Sequence, residues 1–199
     1  ISKLANLNPS AVICEVMNED GRMARLNDLQ KFSKKHKIKI ASIEDLIAHR
    51  LRNEKLIVKI FNKKFHYKKN EDLDLIVYKN KLNFSENFVI KKGKLSPNNS
   101  TRIRVVSSNI KNFKSLSKKE NIIKSLDYLD KFSNFVLIII NNKKIDKIEN
   151  ENITLRYYGI GAQIIKDLKI KNMILITKSP KKVIGLDGYG IKITKQELI

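Results

Sequence analysis

The chain has 199 residues, of which 42% are hydrophobic and 31% charged, so it can bury one or two cores, and this excludes a disordered chain. Its single cysteine, Cys14, excludes an internal disulfide framework and a zinc site with several cysteine ligands. The longest apolar run, residues 135–140, is far shorter than the roughly 20 residues that cross a membrane, and the N-terminus does not resemble a signal peptide. We therefore expect a cytoplasmic protein without membrane association.

The charge is strongly basic, with 41 Lys and Arg against 20 Asp and Glu and a net charge of +21. Such an excess ordinarily suggests nucleic acid, but nucleic-acid binders concentrate Arg and interleave aromatic residues. Here the excess is mostly scattered lysine, in separate pairs such as Lys34-Lys35, Lys63-Lys64 and Lys143-Lys144. We favour a solvated basic surface that attracts phosphorylated or polyanionic substrates, and nucleic-acid binding is the alternative.

The first distinctive segment is an apolar stretch, Ala11 to Met17, that contains a glutamate. Its alternation predicts a strand with Glu15 on the same face as Ile13 and Met17. An unpaired charge on that face would be costly unless a metal, a cation or a substrate hydroxyl met it. The alternative is a solvent-facing Glu15 on an edge strand.

Two helices are predicted next. Asn27 and Gln30 predict a capped start for a helix that ends at Lys35, and Ser42 with Asp45 predicts the capped start of a second one. The buried stripes would comprise Leu29 and Phe32 in the first helix and Ile43, Leu46, Ile47 and Leu51 in the second, with a short strand at Ile38 and Ile40 between them.

From Leu56 onward the pattern becomes β-rich, which predicts a domain boundary near residue 56. Ser117 and Glu120 predict the start of a helix, and residues 141–152 predict a loop. The predicted strands span residues 56–61, 73–78, 88–91, 102–106 and 135–140.

A second distinctive block, Leu155 to Ile193, contains Gly159 and Gly161, which predict a tight helix start, followed by a buried strand at 173–176. Ile160, Ile164 and Leu168 would be the core-facing residues of that helix.

Two polar residues follow that strand. Thr177 stands at its end and Lys182 lies beyond Pro180, and a hydroxyl with an ammonium is a common pairing around a phosphate. The alternative is a capped helix start at Thr177 with exposed lysines.

The first distinctive segment and the residues after it closely resemble the C-terminal part of 3,4-dihydroxy-2-butanone 4-phosphate synthase. The similarity rests on Cys-Glu, Asn, an acidic pair, Gly and Met-Ala-Arg within Val12 to Arg25, and it continues to about Arg52. The resemblance implies that Glu15 contacts ribulose 5-phosphate and helps to move protons. It also implies a homodimer that depends on Mg or Mn, with metal ligands upstream of this chain. Because the chain opens at Ile1 in mid-domain, we expect a fragment that is inactive alone.

The second block resembles the end of GTP cyclohydrolase II. This resemblance places Thr177 and Lys182 at GTP-contacting positions and Arg156 at the position of the proposed nucleophilic arginine. Thr154, however, replaces the aspartate that accepts a proton in the family, and a threonine hydroxyl is no base near neutral pH.

The family's zinc site is the larger departure. The family holds its zinc through three cysteines, but Asn109 stands at the first of these positions, and residues 141–144 replace the family's phosphate and substrate loop. Without a zinc-activated water the hydrolysis has no nucleophilic hydroxide. We expect that zinc is absent and that this half keeps the fold and has lost the chemistry.

Together these features predict an α/β (α+β) protein. Residues 1–56 would be the C-terminal part of the synthase domain, and residues 57–199 a degenerate, mixed α/β domain like GTP cyclohydrolase II. The expected function is riboflavin biosynthesis, with ribulose 5-phosphate converted to 3,4-dihydroxy-2-butanone 4-phosphate and formate by the parent protein. GTP is the second expected ligand. The alternatives are a non-catalytic nucleotide-binding or dimerisation module and, ranked last, a basic nucleic-acid-binding protein.

Overall fold

A computed structural model describes residues 1–68, 70–81, 83–111, 113–141, 151–180, 183 and 186–199. The chain divides into two compact units, residues 1–46 and residues 47–199. The boundary near residue 56, which separates the two family-like halves, stays a prediction.

The first unit has little regular structure before its first α-helix. It contains a short 3-10 helix, Ser2–Ala5, and its extended segments form only one isolated bridge among the described residues, between Met17 and Met23. The strands predicted at 11–17 and 38–40 are therefore wrong, because a strand needs a neighbour that satisfies its backbone groups. The face predicted to be apolar is open to solvent, since Ile13 is 92% and Met17 64% exposed.

The two N-terminal helices are α1 (Leu26–His36) and α2 (Ile43–Asn53), and α2 continues into the second unit. The capping box of α2 is confirmed, because the Asp45 N–H donates to Ser42 Oγ at 3.0 Å and the Ser42 N–H donates to Asp45 Oδ2 at 3.3 Å. In α1 the predicted cap is wrong. Arg25 is the N-cap, and its N–H donates to Asp28 Oδ2 at 3.0 Å.

The predicted buried faces of these helices are also wrong in part. Phe32 is 39% and Ile43 78% exposed, and no described side chain of residues 1–46 is buried. A periodic apolar stripe shows which face of a helix can be covered, and covering it requires a neighbouring element.

The second unit is built on one seven-stranded sheet, and the strands predicted from residue 56 onward are confirmed. The strand order is β1-β2-β3-β5-β4-β6-β7, with antiparallel pairing from β1 to β5 and parallel pairing from β5 to β7. The strands are β1 (Ile57–Tyr67), β2 (Asn70–Asn80), β3 (Glu86–Lys92), β4 (Thr101–Ser108), β5 (Phe135–Asn141), β6 (Asn172–Thr177) and β7 (Lys192–Leu198).

Two helices cover the sheet, α3 (Glu120–Leu129) on one face and α4 (Glu151–Asp167) on the other. All residues of β5 are buried, and alternate side chains reach opposite faces, as the period of a strand requires. Val136, Ile138 and Ile140 share a cluster with Ile160 and Ile164 of α4. Phe135, Leu137 and Ile139 share the other with Ile122 and Leu126 of α3. This three-layer arrangement confirms the α/β fold class.

Both helix starts in this unit differ from the prediction. Lys119 is the N-cap of α3, and Ser117 belongs to a preceding 3-10 helix, Phe113–Lys118. Gly159 and Gly161 lie inside α4, which begins at Glu151. Glycine often marks a helix end, but here the helical hydrogen bonding continues through both positions.

A residue larger than glycine would fit at position 161, and this leads to a prediction about stability. A Cβ at this position would lie 4.0 Å from the Val105 methyl groups, an ordinary contact distance. We expect Gly161→Ala to raise the free energy of unfolding by about 1 kcal/mol, the usual gain from replacing Gly inside a helix. Urea titration followed by circular dichroism measures this change.

Gly93 is the matched control, because its φ is +72° and a Cβ there would lie 2.5 Å from the Ser133 carbonyl oxygen. Gly93→Ala should lower the free energy of unfolding. Equal effects of the two substitutions would contradict the backbone geometry of both glycines.

Every helix among the described residues is too short or too polar to span a lipid bilayer.

Candidate functional site

The carboxyl ends of three parallel strands define the candidate site. β4, β5 and β6 run in one direction and end at Ser108, Asn141 and Thr177, so these ends meet at one edge of the sheet. In open α/β sheets ligands bind outside this edge. Asn109 and Thr177, both of which the sequence pattern had indicated, therefore lie at the same edge.

The loop after β4 is held by an asparagine side chain. The Ile110 N–H donates to Asn141 Oδ1 at 2.9 Å, and Asn141 Nδ2 donates to the Ile110 carbonyl at 2.8 Å. The Asn141 N–H donates in turn to Asn87 Oδ1 at 3.1 Å. Asn87 and Asn141 are buried, and hydrogen bonds in a buried network are strengthened by the low dielectric. We call this network the Asn141 clamp.

Arg104 is a buried cation next to this edge that the sequence pattern did not bring to notice. Its side chain is 6% exposed, and Nε donates to Ser125 Oγ at 2.7 Å while Nη1 lies 3.4 Å from the Ile176 carbonyl oxygen. Among the described residues no carboxylate pairs with it, and burial lowers the pKa of the guanidinium. Arg104 thus ties α3 and β6 together beside Thr177.

The Thr177 hydroxyl is already engaged within its own turn. Its Oγ1 donates to the Ser179 carbonyl at 2.8 Å, and the residue is 6% exposed. Residues 178 and 179 form a bend and Pro180 is not helical, so the alternative of a helix that starts at Thr177 is wrong. A phosphate could reach this hydroxyl only if the bond to Ser179 opened.

Two candidate side chains of this half have no described position. Lys182 lies outside the described residues, and of Arg156 the structure describes the backbone within α4 but not the side chain. The same holds for Thr154. The structure therefore brings Asn109, Asn141 and Thr177 to one edge, and the roles of Arg156, Thr177 and Lys182 stay predictions.

Glu15 lies in the first unit, just before a turn. The Ala24 N–H donates to the Val16 carbonyl at 3.0 Å, and Gly21, with a φ of +80°, permits the reversal of the chain. The Glu15 side chain is exposed, so the expectation that it sits on a buried strand face is wrong. Its role as a substrate contact stays a prediction.

The acidic turn after Glu15 is internally paired. Arg22 lies 2.6 Å from Asp20, and its side-chain hydrogen bonds lower the pKa of that carboxyl. The pKa of Asp28 is lowered by the Arg25 backbone N–H and then by the Asn18 amide, which lies 3.2 Å from Asp28 Oδ2. These carboxylates therefore stabilise the turn and the start of α1.

The donor groups of this chain do not fit a thiolate zinc site. Asn109, at the position where the resemblance expects the first thiolate, is exposed and carries an amide. The chain's one thiol, Cys14, is exposed within residues 1–46. Across the part of the chain that the structure describes, no three His, Cys, Asp or Glu side chains lie close enough together to hold a metal ion.

Comparison with known families divides the chain in the same order as the two resemblances. The family model described as GTP cyclohydrolase II matches residues 59–197. The model described as 3,4-dihydroxy-2-butanone 4-phosphate synthase matches residues 1–49.

Curated relatives carry both descriptions. Riboflavin biosynthesis protein RibBA of Aquifex aeolicus is 33% identical over 98% of this chain and 55% of its own length. The 3,4-dihydroxy-2-butanone 4-phosphate synthase of Photobacterium phosphoreum is 32% identical over 98% of this chain and 58% of its own. The chain thus spans little more than half the length of the curated relatives that it matches.

A solved structure shares the fold. The crystal structure of RibBX, a two-domain 3,4-dihydroxy-2-butanone 4-phosphate synthase from A. baumannii, matches with a TM-score of 0.70 and 28% identity. The match covers 99% of this chain and 56% of that one.

Proposed function

Because the chain belongs to the GTP cyclohydrolase II family through residues 59–197, we propose that its second unit retains that family's fold without the hydrolytic reaction. The observation that carries this proposal is the Asn141 clamp beside Asn109. An amide holds the loop where the family has its first thiolate, and the sequence offers no set of cysteines to replace it. A hydroxide generated by thiolate-bound zinc is then not available to attack GTP.

The proposed reaction belongs to the synthase half. A protein that contains this chain would act in riboflavin biosynthesis and convert ribulose 5-phosphate to 3,4-dihydroxy-2-butanone 4-phosphate and formate. The match of residues 1–49 and the names of the relatives support this proposal. Glu15 would contact the substrate and move protons. Mg or Mn would be held by ligands upstream of this chain, as the resemblance of residues 1–49 to the synthase implies.

The same proposal extends to partners and location. We place the protein in the cytoplasm as a homodimer, in accord with the synthase family that residues 1–49 match. Nucleic acid is not a proposed partner, because the excess of lysine is dispersed along the whole chain.

A second candidate function is nucleotide binding without hydrolysis. Thr177 supports it, because this residue lies at the carboxyl ends of the parallel strands, where nucleotides bind in many α/β folds. GTP would be contacted by Thr177, Lys182 and Arg156. The loop after β4, which the Asn141 clamp holds, would move little when GTP binds.

A turnover assay tests the loss of hydrolysis. We expect no formate release from GTP, with or without added zinc, since the donor groups for a thiolate zinc site are lacking. The assay measures formate in parallel samples with and without a chelator. Chelator-sensitive release of formate from GTP would overturn the proposal.

Calorimetry with GTP separates nucleotide binding from a purely structural role. If GTP binds at the carboxyl edge, Lys182→Ala should weaken it by about tenfold, the effect of losing one charge-assisted contact. Lys178→Ala is the matched control, since Lys178 is an exposed lysine next to Thr177. No heat with the unmodified protein rejects nucleotide binding at this edge.

A further inference from the structure

A second cleft, of about 390 Å³, lies outside the candidate site. Its walls come from the segment before β1, from the end of α4 and from Tyr189. α4 ends at Asp167 and β6 begins at Asn172, whereas the candidate site lies where β6 ends, at Thr177. Asn109, Asn141 and Thr177 do not line the cleft, so it is distinct from the candidate site, and a ligand bound in it would be independent of the proposed function.

The cleft also occupies a particular place in the sequence. Residues 53, 54, 55 and 57 line it, and they fall between the two family matches, which end at residue 49 and begin at residue 59. Neither family match therefore accounts for this wall.

The walls are preformed by hydrogen bonds. Gln163, which is 7% exposed, accepts from the Leu56 N–H through Oε1 at 2.9 Å and donates through Nε2 to the Glu54 carbonyl at 2.8 Å. The Tyr78 hydroxyl donates to Asp167 at 2.9 Å, and burial followed by this bond raises the pKa of Tyr78. These bonds hold residues 54–56 against α4, so this wall of the cleft is fixed before a ligand binds.

The charges in the cleft do not cancel. Arg50 donates through Nε and Nη2 to the two carboxylate oxygens of Glu54, at 2.8 and 2.9 Å. Lys55 Nζ lies 3.7 Å from Asp167 Oδ1. Lys166 and Lys169 remain, and neither forms an ion pair within the described parts of the chain. The cleft thus presents two ammonium groups that have no carboxylate partner among the described residues.

Three carbonyls at the end of α4 already accept hydrogen bonds within the chain. The carbonyls of Ile164, Lys166 and Ile165 accept the N–H groups of Leu168, Lys169 and Ile170, at 3.0, 2.9 and 3.2 Å. These carbonyls would otherwise repel negative charge at a helix C-terminus. The helix dipole accounts for lysines near a helix end, but it does not account for a cleft with an aromatic wall.

Tyr189 adds a flat surface beside these charges. The ammonium nitrogen of Lys166 lies 5.9 Å from the centre of the Tyr189 ring, within the range of a cation–π contact. The volume of the cleft falls within the roughly 300–1,000 Å³ of small-molecule sites. We propose that this cleft binds a small phosphate ester with a planar ring, such as a nucleoside monophosphate. The phosphate lies between Lys166 and Lys169, and the ring packs against Tyr189.

Calorimetry with adenosine 5′-monophosphate tests this inference on the full chain. We expect saturable binding, and we expect ribose 5-phosphate and adenosine, which lack the ring or the phosphate, each to bind at least about tenfold more weakly. The double variant Lys166→Gln and Lys169→Asn should weaken the monophosphate by about tenfold or more. Asn suits position 169 because the backbone there is left-handed, with φ of 60°.

Two controls keep the result interpretable. Lys171→Gln removes a nearby exposed lysine that does not line the cleft, and Lys166→Arg keeps the charge, so both should bind like the unmodified chain. Lys182→Ala, which changes a residue of the proposed GTP site, should also leave this binding unchanged. No binding of the monophosphate, or equal weakening by Lys171→Gln and the double variant, would overturn the proposed site. Loss of binding in Lys182→Ala would overturn it too and would assign the ligand to the proposed GTP site instead.

Discussion

Turnover of ribulose 5-phosphate should fall by about 10²- to 10⁴-fold when Glu15 is replaced by Gln in a protein that joins this chain to the upstream synthase half. The amide keeps the size of the side chain but cannot accept a proton, so the loss should appear mainly in kcat. Formate release in the presence of Mg²⁺ measures the effect.

The neighbouring turn supplies a matched control for Glu15. Glu19 is also exposed and carries the same carboxylate, so Glu19→Gln changes the net charge equally. We expect that variant to keep its turnover. Unchanged turnover in Glu15→Gln would remove this residue from the proposed mechanism, and equal losses in both variants would point to the charge of the turn.

The second large effect concerns the Asn141 clamp. Asn141→Ala removes both side-chain hydrogen bonds to Ile110 and leaves a buried N–H and carbonyl without these partners. We expect the free energy of unfolding to fall by about 2–4 kcal/mol, because each unsatisfied buried polar group costs about 1–3 kcal/mol. Urea titration measures this change.

Two further variants show whether the clamp or mere truncation is responsible. Asn141→Asp keeps the shape and the acceptor but loses the donor to the Ile110 carbonyl, so it should also destabilise the fold. Asn172→Ala removes one partly buried bond to the Pro97 carbonyl, at 3.3 Å, and should cost about 1 kcal/mol or less. If Asn141→Ala costs no more than Asn172→Ala, the clamp does not hold the loop.

Six of the seven strands of the sheet could be predicted from local pattern, whereas β7 and the irregular start of the first unit could not. Residues 135–140 form a continuous apolar run, and such a run is typical of a strand that is covered on both faces, as β5 is. In residues 11–17 apolar and other side chains alternate, which makes a strand possible. A strand also needs a neighbouring strand to pair with, and the described part of the first unit supplies none. The helix start predicted at Gly159 and Gly161 was wrong for a similar reason, because packing against the sheet keeps both residues helical.

The candidate site was predictable only where the pattern was local. The positions of Asn109 and Thr177 follow from the order of parallel strands, whose carboxyl ends meet at one edge. The Asn141 clamp joins a side chain to a backbone group 31 residues away, and no spacing rule reveals such a contact. The sequence could have indicated Arg104 as a candidate residue. It is a charged residue inside an apolar strand, and the same reasoning was applied to Glu15.

The Asn141 clamp also determines what the folded second unit depends on. A carboxamide neither titrates near neutral pH nor reacts with the oxidants that attack thiolates. A loop fastened in this way keeps its shape through changes in acidity, oxidant level and metal supply that would release a loop held by cysteines around an ion.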